Sequence, residues 1–182
     1  MALLIKGEKT GLEEVTSEDA ENICMLRNSP AINKYLSSSQ DISIEQQKTW
    51  ITQNLSKNDG YYCKIIDLQD NNFCGTSSLY NVKNGEAEFG RYICVRPIQA
   101  IETELLILKL AFEEMNLDRV YCRTAAENTK VWKQHLRYGF TNAGEEIFSN
   151  EDKNLTLNIQ EITRDKYFKT DYSFISQIIK KF

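Results

Sequence analysis

Three stretches of this 182-residue chain carry side chains or backbone that could do chemistry. In Glu86-Ala87-Glu88-Phe89-Gly90-Arg91-Tyr92-Ile93-Cys94, strand alternation puts Glu88, Gly90, Tyr92 and Cys94 on one face, with Gly90 leaving open space beside the Glu88 carboxylate. A carboxylate in a partly dry cleft rises in pKa and can take a proton from an amine; a solvated glutamate beside a hairpin is the plainer reading. His135, the sole histidine, shares a helix face with Val131 and Trp132. An imidazole, with an unperturbed pKa of about 6.5, can protonate a leaving group near neutral pH, but a packed histidine on a half-buried helix explains it equally well. The third stretch, Val95 to Leu106, reads as a strand end turning into a helix. A helix N-terminus offers unpaired N–H groups and the positive end of its dipole to a phosphate. This turn contains no glycine, which close approach of backbone to phosphate usually demands.

The elements around these residues are expected as follows. After a first strand, Thr16 or Ser17 caps a helix that Ser29 and Pro30 stop, and a second helix lies near Ala31–Leu36. Ser43 with Gln46 forms a capping box before an amphipathic helix bearing Ile44, Trp50, Ile51 and Leu55. Three β-rich runs follow, the last two joined by Asn84-Gly85, a strong hairpin signal. The helix from Thr103 to Met115 carries too broad an apolar stripe for a surface helix. A strand at Arg119–Ala125, a helix begun by Asn128 and closed by Gly139, a last hairpin and one C-terminal helix complete the order. The sum is an α+β (mixed α/β) protein with helices on both faces of a mixed sheet, and a single domain over 1–182.

Composition narrows the functions. With 22 basic and 26 acidic residues and a net charge of −4, the chain lacks the footprint of a nucleic-acid binder. It shows no basic leader or bilayer-length apolar run, so no membrane partner and a cytoplasmic location are expected. Five scattered cysteines and one histidine argue for reduced, buried thiols and against a metal site.

The element order, together with "AEFGRYI", "AFEEMNLDRVYCRTAAEN" and Gly139-Phe140 eleven residues after Asn128, resembles the GNAT superfamily of acyl-coenzyme-A-dependent N-acyltransferases over about residues 12–160. The segment "MLRNSPAINKYL" is similar to members that acylate nucleotide-linked amino sugars, with Leu26 where that pattern has tryptophan. Ribosomal-protein alanine acetyltransferases carry related segments.

The resemblance implies a mostly antiparallel sheet of about seven strands, splayed between the fourth and fifth so that pantetheine can insert. It implies acetyl-CoA or another short acyl-CoA as co-substrate, without metal, and backbone N–H groups near Ile93 and Val95 facing the thioester. The family's phosphate turn falls on Gln99, Ala100, Ile101, Glu102 and Thr103, where Glu102 could repel a diphosphate. It further implies Glu88 as general base, His135 in place of a thiolate-protonating tyrosine, Asn128 on the pantetheine arm and Lys133, with Lys130 and Arg96, near phosphates. Arg27, Asn28 and Tyr80 fall at the acceptor pocket. The expected reaction is acetyl transfer to the primary amine of an amino sugar, by a possible homodimer. A protein N-terminal amine, or a degenerate fold kept for binding, are the alternatives.

Overall fold

The computed structural model describes residues 4–38 and 40–182; the first three residues of the N-terminal apolar run lie outside it. One eight-stranded sheet runs in the order β1-β2-β3-β4-β5-β6-β8-β7. Its strands are β1 (Ile5–Lys6), β2 (Thr10–Glu14), β3 (Tyr61–Asp67), β4 (Phe73–Lys83), β5 (Glu86–Cys94), β6 (Arg119–Ala125), β7 (Thr141–Ser149) and β8 (Asn154–Thr163). The extra strand is β1: the expected first strand turns back on itself at Gly7–Lys9, so the expected fourth and fifth strands are β5 and β6. Asn84 and Gly85 both have positive φ, 53° and 77°, the pairing that a two-residue hairpin with right-handed strand twist requires.

Only β5 and β6 run parallel, and they pair only at Glu86–Arg119, Ala87–Val120 and Glu88–Tyr121. Beyond those pairs β5 continues to Cys94 and β6 to Ala125 with no ladder between them, which opens the expected splay. On its other edge β5 keeps pairing with β4, but between Gly90 and Ile93 two residues of β5, Arg91 and Tyr92, stand against one of β4, Ser77. Arg91 takes up that bulge with φ of 51°.

Helices cover both faces. α1 (Ala20–Arg27) and α3 (Ile44–Leu55) bury Ile23 and Ile51 with Val15 and Tyr62 on one side. On the other, α4 (Pro97–Lys109), continued by one π-helical turn over Leu110–Glu114, packs Leu106, Ile107 and Phe112 against Leu12, Cys63, Phe89 and Val120. Tyr62 and Cys63 falling in different clusters is strand alternation made visible. Between α1 and α3 lies the short α2 (Pro30–Asn33), with Pro30 at its first position. α5 (Thr129–Arg137) follows β6. The expected C-terminal helix is two, α6 (Arg164–Lys169) and α7 (Ser173–Lys181). Thr170 turns extended, and the Asp171 carboxylate accepts from the Ser173 N–H at 2.8 Å, restarting the helix. The Ser43–Gln46 capping box is present in both directions, at 2.8 and 3.2 Å.

Candidate active site

A cleft of about 360 Å³ opens where β5 and β6 part. One end is walled by α4 and α5, the other by α1, α2 and the β5 bulge.

At the first end, the stretch read as a phosphate turn is helix. α4 begins at Pro97, with Arg96 as its N-cap, so Gln99 to Thr103 occupy its first turns. None of residues 95–103 has a positive φ, which is why no glycine is needed. Pro97 has no N–H and the Ala100 N–H already bonds the Arg96 carbonyl at 2.9 Å, leaving Ile98 and Gln99 without a carbonyl one turn back. Thr103 is fully buried, Ile101 spends its carbonyl on the Tyr138 hydroxyl at 2.6 Å, and Ala100 lines the cleft. Glu102 points away from any phosphate: the N–H groups of Glu8 and Lys9 donate to its two oxygens at 2.6 and 2.8 Å. Arg96 is likewise turned aside, paired with Asp67 and Asp70.

The β5 edge corrects the expected oxyanion donors. The Val95 N–H donates to the Cys74 carbonyl on β4 at 3.0 Å, and Ile93, two residues back and opposite Thr76, shares its phase. Alternation therefore turns the Cys94 N–H the other way, into the gap. Asn128 is the N-cap of α5 through its carbonyl alone; its side-chain amide makes no cap bond and lines the cleft. Lys130 lines it too, whereas Lys133 lies over the Trp132 ring, outside it.

His135 sits on the cleft floor at 2% exposure, its Nδ1 2.7 Å from the Glu104 carboxylate. Burial works against its charged form, but Glu104 and the Cys122 thiol outweigh it and push the imidazole up to about 10. It therefore stays an imidazolium bound to Glu104 at neutral pH. Gln134 extends the network to Glu104 at 2.9 Å and to the Tyr92 hydroxyl, which in turn donates to the Ala100 carbonyl at 2.7 Å. Together these bonds weld α5 to α4 and β5.

At the other end Glu88 is 3% exposed and does not line the cleft. Both its oxygens accept from the Arg123 guanidinium, at 3.0 and 2.9 Å, and Asn81 adds a third donor at 3.3 Å. Gly90 leaves no open space, because the Tyr80 hydroxyl fills it, 2.9 Å from where a Cβ would stand. Burial and the Glu88 carboxylate beside it raise the Tyr80 phenol far above its ordinary pKa. Asn28 is structural: its amide both donates to and accepts from the Ile42 backbone at 2.9 Å, and it is absent from the cleft wall. Arg27 does line the cleft, with its Nε buried and unpartnered.

The charge balance is one-sided. Among the described residues the cleft is lined by Arg27, Arg91, Arg123 and Lys130, and by no aspartate or glutamate.

A family model for the acetyltransferase (GNAT) domain matches residues 9–141. The chain belongs to the GNAT acetyltransferase family. It is therefore an acyl-CoA-dependent N-acyltransferase. Curated proteins contain no significant match to it. Among solved structures, the GNAT chain resembles the spermidine N-acetyltransferase of Vibrio cholerae in complex with CoA and spermine, at 21% identity and a TM-score of 0.77, covering 90% of this chain and 100% of that one. It resembles apo FdhC, a nucleotide-linked sugar GNAT, at 26% identity and a TM-score of 0.73, covering 93% and 95%. A GCN5-related N-acetyltransferase from Brucella melitensis aligns with a TM-score of 0.76 at 15% identity, covering 97% and 83%.

Three features of this GNAT site escape a reading of the sequence. Arg123 lies on β6 as one of many charged residues at strand surfaces, and only its pairing with Glu88 sets it in the cleft wall. Arg91 carries no local signal, because a bulge cannot be read from alternation. Gln134 looks like a solvated helix residue until α4 is placed beside it.

Proposed function

We propose that this acyltransferase moves an acetyl group from acetyl-CoA to the primary amine of an amino sugar carried on a nucleoside diphosphate. What carries the reading is the cleft wall, with three arginines, one lysine and no carboxylate among the described residues, the His135 charge being spent on Glu104. A polyamine acceptor would bring two or more positive charges into that field and find no counter-ion, whereas a diphosphate is attracted by it. The likeness to a nucleotide-linked sugar GNAT points the same way.

In this reading pantetheine lies in the gap between β5 and β6, and the Cys94 N–H faces the thioester oxygen as negative charge develops there. The free N–H groups of Ile98 and Gln99 receive the coenzyme's diphosphate at the start of α4, and Lys130 lies at the same end. The neutral amine attacks the thioester carbon, the C–S bond breaks, and the coenzyme leaves as a thiolate that takes up, through solvent, the proton the acylated nitrogen sheds, so the products are the amide and the free thiol. A thiolate is stable enough to leave without a protein acid, which agrees with His135 being committed to Glu104. Glu88 acts as a positioning residue that fixes the Arg123 guanidinium toward the acceptor.

The test is a mass spectrum after mixing the protein with acetyl-CoA and a panel of nucleotide-linked amino sugars, the same sugars without nucleotide, and spermidine. Acetylation concentrated on the nucleotide-linked acceptors is expected. Acetylation of spermidine with none of the sugars overturns the reading.

A further inference from the structure

Among the described residues, six that are not glycine hold a positive φ, and five of them are asparagine: Asn58, Asn71, Asn81, Asn84 and Asn116. Asparagine tolerates that conformation, and apart from glycine it is what the chain places at five of these six positions. The sixth is Arg91, at the β5 bulge, where glycine or asparagine would sit with less strain. A strained backbone that persists under a long side chain asks what the side chain does.

The Arg91 guanidinium stacks on the Tyr80 ring at 3.9 Å, with Trp50 at 5.0 Å and Tyr62 at 5.8 Å around it. Its one hydrogen bond among the described residues is a donation to the Ser78 hydroxyl at 3.3 Å. It makes no ion pair among the described residues: Glu88 belongs to Arg123, and Asp59 lies beyond pairing distance. The aromatic ring face holds the guanidinium plane but leaves most of its N–H donors free. Burial also disfavours its charge, the cost that a bound counter-ion would relieve. Arg27 supplies a second unpaired guanidinium, whose buried Nε has no acceptor, on the same wall.

We propose that Arg91, braced by Tyr80 and Trp50 and joined by Arg27, is the subsite that grips a phosphoryl group of the acceptor and so selects anionic over free amines. This rests on the acceptor class proposed above. The planar fork of arginine suits two-point contact with phosphate oxygens, which a lysine cannot reproduce.

The experiment uses the full chain saturated with coenzyme A, so that the coenzyme's own diphosphate site is filled, and titrates UDP and dTDP by calorimetry. The wild type is expected to bind at least one of them. Arg91→Gly, which suits the positive φ, is expected to keep its melting temperature while affinity falls at least about tenfold. Arg91→Lys should fall between the two. In turnover, Arg91→Gly should raise KM for a nucleotide-linked amino sugar by a factor far larger than for the same sugar without nucleotide. A wild type that ignores both nucleoside diphosphates, or an Arg91→Gly variant that binds as the wild type does, overturns the subsite. If both proteins acetylate nucleotide-linked sugars with equal KM, the function stands and the subsite falls. If the wild type acetylates none of them, the acceptor class falls.

Discussion

Where α4 and α5 wall the cleft, the groups presented to a ligand are main-chain N–H groups, one amide and Lys130, and the buried charged pair beneath them, His135 with Glu104, is consumed by itself. Where α1, α2 and the bulge wall it, the groups presented are guanidiniums, and the carboxylates are kept behind them. A co-substrate shared by a whole family can be held by backbone, which any sequence supplies once the elements are in place. An acceptor must be chosen by side chains, and those are held by stacking, bulges and pairs that local sequence does not announce. The first end should therefore respond to substitution chiefly in stability, and the second chiefly in KM.

The severest break should come under the first end. His135→Phe leaves Glu104 fully buried beside Gln134 alone, and removing one partner of a buried pair costs about 3–5 kcal/mol. Chemical denaturation measures it. The sign with pH follows from the raised imidazole: the contribution of His135 is complete below its unfolded pKa of about 6.5 and is lost as pH climbs through about 10. Wild-type stability should decline across that window, and His135→Phe should lack that decline. A variant as stable as the wild type, with a shifted alkaline limb of activity, would restore His135 as the thiolate acid.

Glu102→Ala comes next. It strips the acceptors from two backbone N–H groups, a loss of about 2–4 kcal/mol, with coenzyme affinity unchanged. Tighter coenzyme binding instead would mean that Glu102 does face the phosphates and the contrast between the two ends is drawn wrongly.

At the second end Glu88→Gln should weaken the hold on Arg123 and lower kcat/KM about tenfold, to a similar degree at every pH and mainly through KM. A loss confined to pH values below the acceptor amine's pKa would identify Glu88 as the general base after all. The smallest effect is expected for Asn28→Ala, which frees the Ile42 backbone and costs about 1–2 kcal/mol, with KM for the acceptor raised slightly by a looser wall. Differential scanning calorimetry and one kinetic series separate the two parts.

What was legible in the sequence follows the same division. Asn84-Gly85, Ser43 with Gln46, Asn128 and Gly139 act through bonds and torsions within a few residues, so they could be read without a fold. The splay was legible only through the family resemblance, since β5 and β6 belong to distant parts of the chain. Which way Glu102 points is open in the sequence, because its helix gives no hint that a turn 93 residues upstream lies on its other side. The resemblance points to N–H groups near Ile93 and Val95, one position out of phase with the gap, since the pairing of β5 with β4 beyond the Arg91 bulge is set by the fold and not by local sequence. His135 lines the cleft, yet its partner Glu104 lies 31 residues away on another helix, beyond the reach of local sequence.

The grip of Glu102 on the first hairpin bears on how the molecule comes together. The turn at Gly7–Lys9 is closed by a carboxylate that lies more than ninety residues later, and no side chain nearer in sequence takes those two N–H groups. Contacts of such long separation are late events in folding, since the intervening chain must be ordered first. The Glu8 and Lys9 amides are thus built-in reporters: their hydrogen exchange should remain fast until α4 docks, and in the native protein it should quicken whenever the start of α4 lifts from the sheet.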